Sequence, residues 1–345
     1  MKILKAMPSE IDIAEFLSMA KNIPVIDVRS PSEYLKGHIP GALNLPLFSD
    51  DERVKVGTLY VRSGKGDAYL LGLEIVGPKL KSFAEEVKQL AVNQQLLVHC
   101  WRGGMRSNSM AWLFEQIGIK VSTLKGGYKS YRHYVLEWFL IEPTLVVLGG
   151  MTGSGKTEIL NELQKAGCQV VDLEGIAHHK GSAFGGLGQL HQPTQEQFEN
   201  NLFSNLQLLD YKYAIWIEDE SMAIGKVLLP KALHEFMKQS KIICINRDKE
   251  TRIARLIDEY AHFSSTELAE SIQKIAKRLG GKDTNDALTA LLGEDYKKVA
   301  HIALQYYDKS YKNLLKLRSK ETLIEFVPKS NLSREIAEEI LNLQL

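Results

Sequence analysis

Short apolar runs, each ending in polar or glycine-rich residues, recur along the chain. The first covers Ile23 to Arg29, and the next two are Leu96-Leu97-Val98 and Val121 to Leu124. Further on come Thr144 to Leu148, Gln169 to Asp172, Ala214 to Ile217 and Lys241 to Arg247. Runs of this length with β-branched residues predict buried strands. Between them lie helix signals. Ser30-Pro31-Ser32-Glu33 reads as a helix start, and Ser109, Met110, Trp112, Leu113 and Phe114 follow a helical spacing. Strands alternating with helices predict an α/β fold with parallel sheets. From Asp248 the pattern turns helical, over 250–260, 265–279, 284–292 and 295–317. A last strand is expected at 323–327 and a last helix at 334–343.

At 345 residues the length favours two domains. Glu142-Pro143 marks the junction, so the expected domains are 1–140 and 141–345. A net charge of +1 advertises neither nucleic acid nor membrane, so an RNA contact needs a local basic patch. Two such clusters stand out: Lys274, Lys277, Arg278 and Lys282, and then Lys309, Lys312, Lys316, Arg318 and Lys320 with Tyr306, Tyr307 and Tyr311 interleaved. Solvated helix faces account for such clusters more often than phosphate tracking does. The three cysteines, Cys100, Cys168 and Cys244, form no CxxC pair and suit a reducing, cytoplasmic setting. The stretch from Met1 to Phe16 lacks the apolar core of a leader. No apolar stretch reaches the ~18 residues a membrane span needs.

Two stretches carry chemistry. In the first, His99-Cys100-Trp101-Arg102-Gly103-Gly104-Met105-Arg106-Ser107 links a strand to a helix. A loop closing onto a helix start points its N–H groups at one spot and makes an anion cradle. Cys100 lies at the bottom of it, and Arg102, Arg106 and the helix end are expected to favour its thiolate. That reads as a nucleophile aimed at an anion, with Arg102 and Arg106 as anion holders and Trp101, Gly103, Gly104 and Ser107 lining the cradle. Trp101 is either a core residue or a wall for a planar base. In the second, Gly150 to Thr157 fits G-x-x-x-x-G-K-T between a strand and a helix. Such a P-loop holds a di- or triphosphate through backbone N–H groups and its lysine, and its threonine can reach Mg²⁺. Gly150, Gly153, Ser154, Gly155, Lys156 and Thr157 are the expected binding residues. Asp172, Glu174, His178 and His179 follow the next strand, where P-loop kinases often take a second substrate. Glu218 and Asp219 end another strand, as in a Walker B segment. The paired histidines have no convincing third ligand, so no metal site is expected. Cys168 and Cys244 read as structural.

Asp27-Val28-Arg29-Ser30-Pro31-Ser32-Glu33-Tyr34, Gly37-His38-Ile39-Pro40-Gly41-Ala42, the cysteine loop and Gly126-Gly127-Tyr128 together resemble a rhodanese domain. Asp27, Arg29, Glu33 and His38 are read as loop-bracing residues. Five residues separate Cys100 from Arg106, one more than in a common sulfurtransferase loop. The stretch therefore also matches the His-Cys-x5-Arg-Ser signature of protein phosphatases, and the wider cradle suits a tetrahedral group. A rhodanese domain followed by this P-loop, with Asp172-Leu173-Glu174-Gly175 and Trp216-Ile217-Glu218-Asp219-Glu220-Ser221, resembles the tRNA 2-selenouridine synthase family.

That resemblance implies an enzyme acting on tRNA with 2-thiouridine at the wobble position. It implies geranylation of the sulfur from geranyl diphosphate, then replacement of the geranylated sulfur by selenium from selenophosphate. Cys100 would be the nucleophile or a transient selenium carrier, and the P-loop would grip the diphosphate. No tightly bound cofactor is expected, Mg²⁺ is a candidate, and selenophosphate synthetase is a candidate partner. Met151, Phe184, Leu187 and Trp216 are candidates for a prenyl pocket. Three readings compete: a sulfurtransferase with an ATP-using domain, a cysteine phosphatase coupled to such a domain, and a silent rhodanese-like binding module.

Overall fold

A computed structural model describes residues 8–343; the first seven residues of the stretch read for a leader lie outside it. The chain divides into two compact units that meet between Trp138 and Phe139.

The first unit runs β1 (Ser9–Ile11), α1 (Ile13–Ala20), β2 (Val25–Asp27), α2 (Pro31–Lys36), β3 (Leu43–Asn44), α3 (Asp50–Ser63), α4 (Lys65–Val76), α5 (Leu80–Leu90), β4 (Gln95–His99), α6 (Met105–Gln116), β5 (Lys120–Leu124) and α7 (Gly127–Trp138). Its sheet is parallel throughout, in the order β1-β5-β4-β2-β3. Central β4 buries Leu96, Leu97 and Val98 alike, as a strand covered on both faces must. Ile26, Val28, Val98, Phe83, Val87, Met110 and Phe114 pack into one core under it. Helix α2 starts where the sequence places it: Ser30 and Glu33 close a reciprocal cap, with Pro31 at its first position.

The second unit runs β6 (Leu145–Gly150), α8 (Lys156–Lys165), β7 (Gln169–Val171), α9 (Leu173–Ala177), α10 (Gln195–Leu206), β8 (Ile215–Glu218), β9 (Ala223–Ile224), β10 (Val227–Leu228), α11 (Lys231–Gln239), β11 (Lys241–Ile245), α12 (Lys249–Tyr260), α13 (Ser265–Leu279), α14 (Gly281–Leu292), α15 (Tyr296–Leu315), β12 (Leu323–Phe326) and α16 (Ser333–Leu341). Its main sheet is also parallel, in the order β12-β11-β6-β8-β7. Leu148 of β6 pairs in register with Glu218 of β8, so the P-loop and the acids after β8 leave the sheet side by side. Helices α13, α14 and α15 bury Leu268, Ile272, Ile275, Leu291 and Ile302 in a separate helical core. Among the described residues no helix is long and apolar enough to cross a membrane.

In both sheets the chemistry-bearing loops follow the carboxyl ends of strands, where parallel sheets place their sites. Cys100 follows β4, the P-loop follows β6, and Asp172 and Asp219 follow β7 and β8.

Candidate functional site

The cysteine loop is shaped by close backbone contacts. Tyr128 N–H donates to Cys100 C=O at 2.8 Å and Lys129 N–H to Trp101 C=O at 2.9 Å, so the start of α7 is stitched to the loop. Only glycine fits this seam. Gly103 has φ +65° and a Cβ there would lie 2.6 Å from Leu124 O; Gly127 has φ +60° and its Cβ would lie 2.4 Å from Cys100 O. Beneath the loop, Asp27 and Arg29 form a buried pair, with Nη2–Oδ2 at 2.6 Å and Nε–Oδ2 at 2.9 Å. Arg29 also donates to Gly37 C=O at 2.7 Å and lies 3.7 Å over the Tyr128 ring. Burial opposes the Asp27 charge, but His99 and Arg29 outweigh it and hold the carboxyl below its ordinary range. Desolvation in turn pushes the pKa of buried His99 down. These residues brace the loop, and Asn44 adds donors to the Asp27 and Arg29 carbonyls at 2.9 Å each.

Cys100 is 3% exposed. Its Sγ lies 3.3 Å from Ser107 Oγ and accepts from Gly104 N–H at 3.4 Å. Burial works against ionisation, yet Ser107, then Arg106 and the N–H groups of Gly104 and Ser107, overcome it and lower the thiol's pKa. Arg106 does this while anchored to Glu33, at 2.5 Å from Nη1 to Oε2 and 3.3 Å from Nη2 to Oε1. Glu33 is thus both the cap of α2 and the counter-charge of Arg106. Arg102 is exposed at the rim. Trp101 is half-buried, its ring 5.8 Å from that of Tyr128. The cradle therefore gathers Cys100, Gly103, Gly104, Arg106 and Ser107 closely and keeps Arg102 outermost.

In the second unit the P-loop is held from outside. Arg252 of α12 donates to Thr152 C=O at 3.2 Å and makes a two-armed pair with Asp308 of α15 at 2.7 and 2.8 Å. Gly150 N–H donates to Tyr311 Oη at 2.8 Å, and Tyr311 in turn donates to Asp219 Oδ2 at 2.9 Å. The other Asp219 oxygen accepts from Arg318 at 2.5 Å. Both carboxylate oxygens of Asp219, one of the acids of the Walker B-like segment, are thus engaged with α15 and the segment after it. Neither Tyr311 nor Arg318 was expected in this role from the sequence, although both stand in its second basic-aromatic cluster.

Besides Asp219, the acids around the phosphate-binding loop are the expected Glu174 and Glu218, and Glu220. Thr157 Oγ1 donates to Glu174 Oε2 at 3.0 Å, and Glu174 N–H donates to Glu218 Oε1 at 3.0 Å. Glu218 Oε2 is buried with no hydrogen-bond partner among the described residues. Desolvation first, and then the neighbouring acids Asp172 and Glu174, keep Glu218 well above its ordinary pKa. Desolvation and Glu174 likewise push Glu220 up to about 8. Asp172 caps α9 by accepting from Gly175 N–H at 2.7 Å, a local structural role. His178 has its Nδ1 2.9 Å from His191 O, and desolvation and Lys274 lower the pKa of His179. Among the described residues no group of three or more His, Cys, Asp or Glu is arranged to hold a metal.

The P-loop opens on a large cleft, about 2060 Å³, whose walls include Lys156, Glu174, Glu220, Lys274, Arg278 and Tyr306. Its apolar lining comes from Met222, Leu256, Ile275, Leu314 and Leu315. Of the four residues expected to form a prenyl pocket, Met151, Phe184, Leu187 and Trp216, none lines it. Trp216 is buried in the sheet core with Val146, Ile159 and Ile243, and β8, buried along its whole length, lends no residue to the cleft. Phe184 packs in the α13–α15 core. Sequence proximity to the P-loop was the only signal for these four. Several of the apolar residues that do line it, Leu256, Ile275, Leu314 and Leu315, arrive from helices far along the chain.

A family model for the tRNA 2-selenouridine synthase AAA domain matches residues 143–331, and one for the rhodanese-like domain matches residues 12–134. The chain belongs to the tRNA 2-selenouridine synthase family. A tRNA 2-selenouridine synthase of Shewanella loihica is 36% identical over 332 residues, covering 85% of this chain and 87% of that protein. Its counterpart in Shewanella woodyi is 38% identical over 76% of this chain and 77% of the relative. The one from Bdellovibrio bacteriovorus is 39% identical over 71% of this chain and 66% of the relative. Membership of the tRNA 2-selenouridine synthase family thus extends across both the cysteine cradle and the P-loop.

Proposed function

We propose that this chain modifies the wobble 2-thiouridine of tRNA in two steps, S-geranylation from geranyl diphosphate and then exchange of the geranylated sulfur for selenium from selenophosphate. In the first step the sulfur attacks C1 of the prenyl chain, the C1–O bond breaks, pyrophosphate leaves and the N3 proton passes to water. The backbone N–H groups of the P-loop with Lys156 suit the departing diphosphate, and the apolar lining of the cleft suits the prenyl chain. Mg²⁺ fits here only as an ion carried in with the diphosphate: Thr157 and Glu174 would meet it, and it would neutralise charge on the leaving group. In the second step alkylation has turned a poor leaving group into a good one. Selenide adds at C2 and geranyl thiolate departs.

The observation that carries the reading is Cys100, its thiol pKa lowered at the bottom of the loop, with Ser107 Oγ 3.3 Å from its sulfur and Gly104 N–H donating to it. Electron balance decides its role between nucleophile and selenium carrier. Selenium is at the same oxidation level in selenophosphate and in a selenocarbonyl, whereas a bond between Cys100 and selenium would need an oxidant. Attack of the Cys100 thiolate on phosphorus needs none. The S–P bond forms, the P–Se bond breaks and selenide is released. Water then cleaves the S–P bond and returns phosphate and thiolate.

The test is nucleoside mass spectrometry on thiolated tRNA incubated with the protein, geranyl diphosphate and selenophosphate, with each omitted in turn. Lys156→Ala is expected to stop geranylation. Cys100→Ala is expected to leave geranylated nucleoside and abolish selenouridine. Selenouridine at the unmodified protein's level from Cys100→Ala would refute the assignment.

A further inference from the structure

The cleft beside the P-loop is too large for a prenyl diphosphate alone. At about 2060 Å³ it is twice the upper end of the ~300–1,000 Å³ typical of small-molecule sites. Its far wall has a distinct chemistry. Lys274, Lys277 and Arg278 stand three and four residues apart on α13, so they share one face of that helix. All three are exposed and all three line the cleft. Among the described residues none of them makes a salt bridge. The pairs that do form nearby, Lys180 with Glu259 and Arg252 with Asp308, leave these three out. Arg278 Nη1 donates to Tyr306 Oη at 3.1 Å, which holds the guanidinium against an aromatic ring at the cleft wall. Tyr306 is half-buried, its ring 5.0 Å from that of Tyr307, and Tyr307 is pinned by Ala183 N–H at 2.9 Å.

Unpaired cations along one side of a groove with a fixed aromatic ring among them match what single-stranded nucleic acid requires. The cations follow the phosphodiester backbone, and the ring stacks on a base. A merely solvated face has no need to line the cleft that also holds the P-loop. We infer that Lys274, Lys277 and Arg278 with Tyr306 form the site that takes an unpaired RNA strand, leading one base toward the diphosphate held at Lys156. The inference rests on the tRNA reading above and adds the place where the RNA enters.

For single strands the logarithm of affinity falls with the logarithm of salt at about −0.7 per phosphate contact. Losing three contacts should therefore flatten the slope by about 2, and at 0.1 M salt weaken binding about 100-fold. The experiment measures binding of tRNA thiolated at the wobble uridine, across a salt series, to the full chain carrying Lys274→Gln, Lys277→Gln and Arg278→Gln together. Inorganic pyrophosphate binding is measured on the same protein. A second variant replaces Lys309, Lys312 and Lys316, which lie outside the cleft, and a third is Tyr306→Ala. The expected result is the flattened slope and the ~100-fold loss for the first variant, unchanged pyrophosphate affinity, little effect from the second, and about tenfold weaker tRNA binding from the third. An unchanged slope would overturn the inference. So would a parallel loss of pyrophosphate, which would give the three cations to the diphosphate, or an equal loss from the second variant, which would reduce the effect to net charge. If the unmodified protein leaves thiolated tRNA unmodified while the slope still flattens, the proposed reaction falls and the RNA site stands.

Discussion

Ser107→Ala isolates the group that does most to ionise Cys100. The hydroxyl has one proton and two acceptors in reach, Gly104 C=O at 3.0 Å and Cys100 Sγ at 3.3 Å. With a neutral thiol the proton lies on the carbonyl, and the S–H can donate to Oγ. When the thiolate forms, the hydroxyl turns to sulfur and the carbonyl loses its donor. A hydrogen bond to a charged group contributes about 1.5–3 kcal/mol, and the loss at Gly104 brings the net to the low end, about 1.5 kcal/mol. That is roughly a tenfold change in the thiolate fraction at pH values below the thiol's pKa. The remaining thiolate is more basic and therefore more nucleophilic, with a Brønsted slope near 0.4–0.5 in disulfide exchange. The two effects oppose each other. Exchange of Cys100 with a small disulfide should be about fourfold slower than in the unmodified protein at low pH, and about threefold faster at high pH once both thiols are ionised. Peptide mapping after acid quench separates Cys100 from Cys168 and Cys244. The rate curves must cross. A uniform slowing at every pH would mean that Ser107 governs access and not ionisation, and coincident curves would mean that Arg106 and the loop N–H groups suffice without it.

Acid quench during turnover with selenophosphate should trap phosphate on Cys100; selenium on Cys100 with no phosphate would refute attack at phosphorus. Arg29→Leu strands the buried Asp27 charge and should cost about 3–5 kcal/mol of stability, read by denaturant unfolding, with Asp27→Asn in the same chain recovering part of it. Because folding lowers the Asp27 pKa, its contribution is present above the unfolded carboxylate range and is lost as pH falls through the lower folded value; Asp27→Asn should therefore make stability less sensitive to acid below about pH 4. Glu220 is pushed up to about 8, so it gains its charge as pH rises through that value and then opposes an anion at the P-loop. Pyrophosphate affinity should drop between pH 7 and 9 by roughly tenfold more in the unmodified protein than in Glu220→Gln, the order of a like-charge interaction across a cleft with an effective dielectric near 20. Equal pH dependence in the two would remove Glu220 from the site.

What could be read from the sequence was what is encoded locally. The strands showed because both faces of each sheet are covered, so their apolar runs are unbroken. The P-loop showed because its glycines, lysine and threonine are contiguous. Over residues 45–92 the apolar positions follow no clear period. Helices α3 and α4 expose Val54, Val61, Leu70 and Leu73 to solvent, which blurs the periodicity that marks a helix. The one clear local signal there was Ser49 with Glu52, which closes a reciprocal cap on α3. Partnerships across the chain were out of reach. Glu33 meets Arg106 across 73 residues, and Asp219 meets Tyr311 and Arg318 across 92 and 99. An acid at the end of a strand looks the same in sequence whether it faces a metal-bound phosphate or an arginine from a distant segment.

Those partnerships give the two cradles a common logic. In each, a group expected to hold the anion is engaged by a carboxylate of the protein itself, Arg106 by Glu33 and Thr157 by Glu174. An incoming anion must therefore compete at Arg106 with the charge of Glu33, which Arg106 holds below its ordinary pKa against burial, and at Thr157 with the hydrogen bond to Glu174. A monoanion of similar size gains little by the exchange, because it replaces one charge with another and loses its own hydration. A phosphate-class dianion or a diphosphate carries charge to spare and meets several loop N–H groups at once, so it gains where the monoanion does not. The carboxylates thereby raise the threshold for entry without altering the cradle's shape. Removing Glu33 should consequently broaden, and not abolish, anion binding at Cys100: Glu33→Gln would bind chloride and acetate more tightly while its preference for phosphate over them narrows.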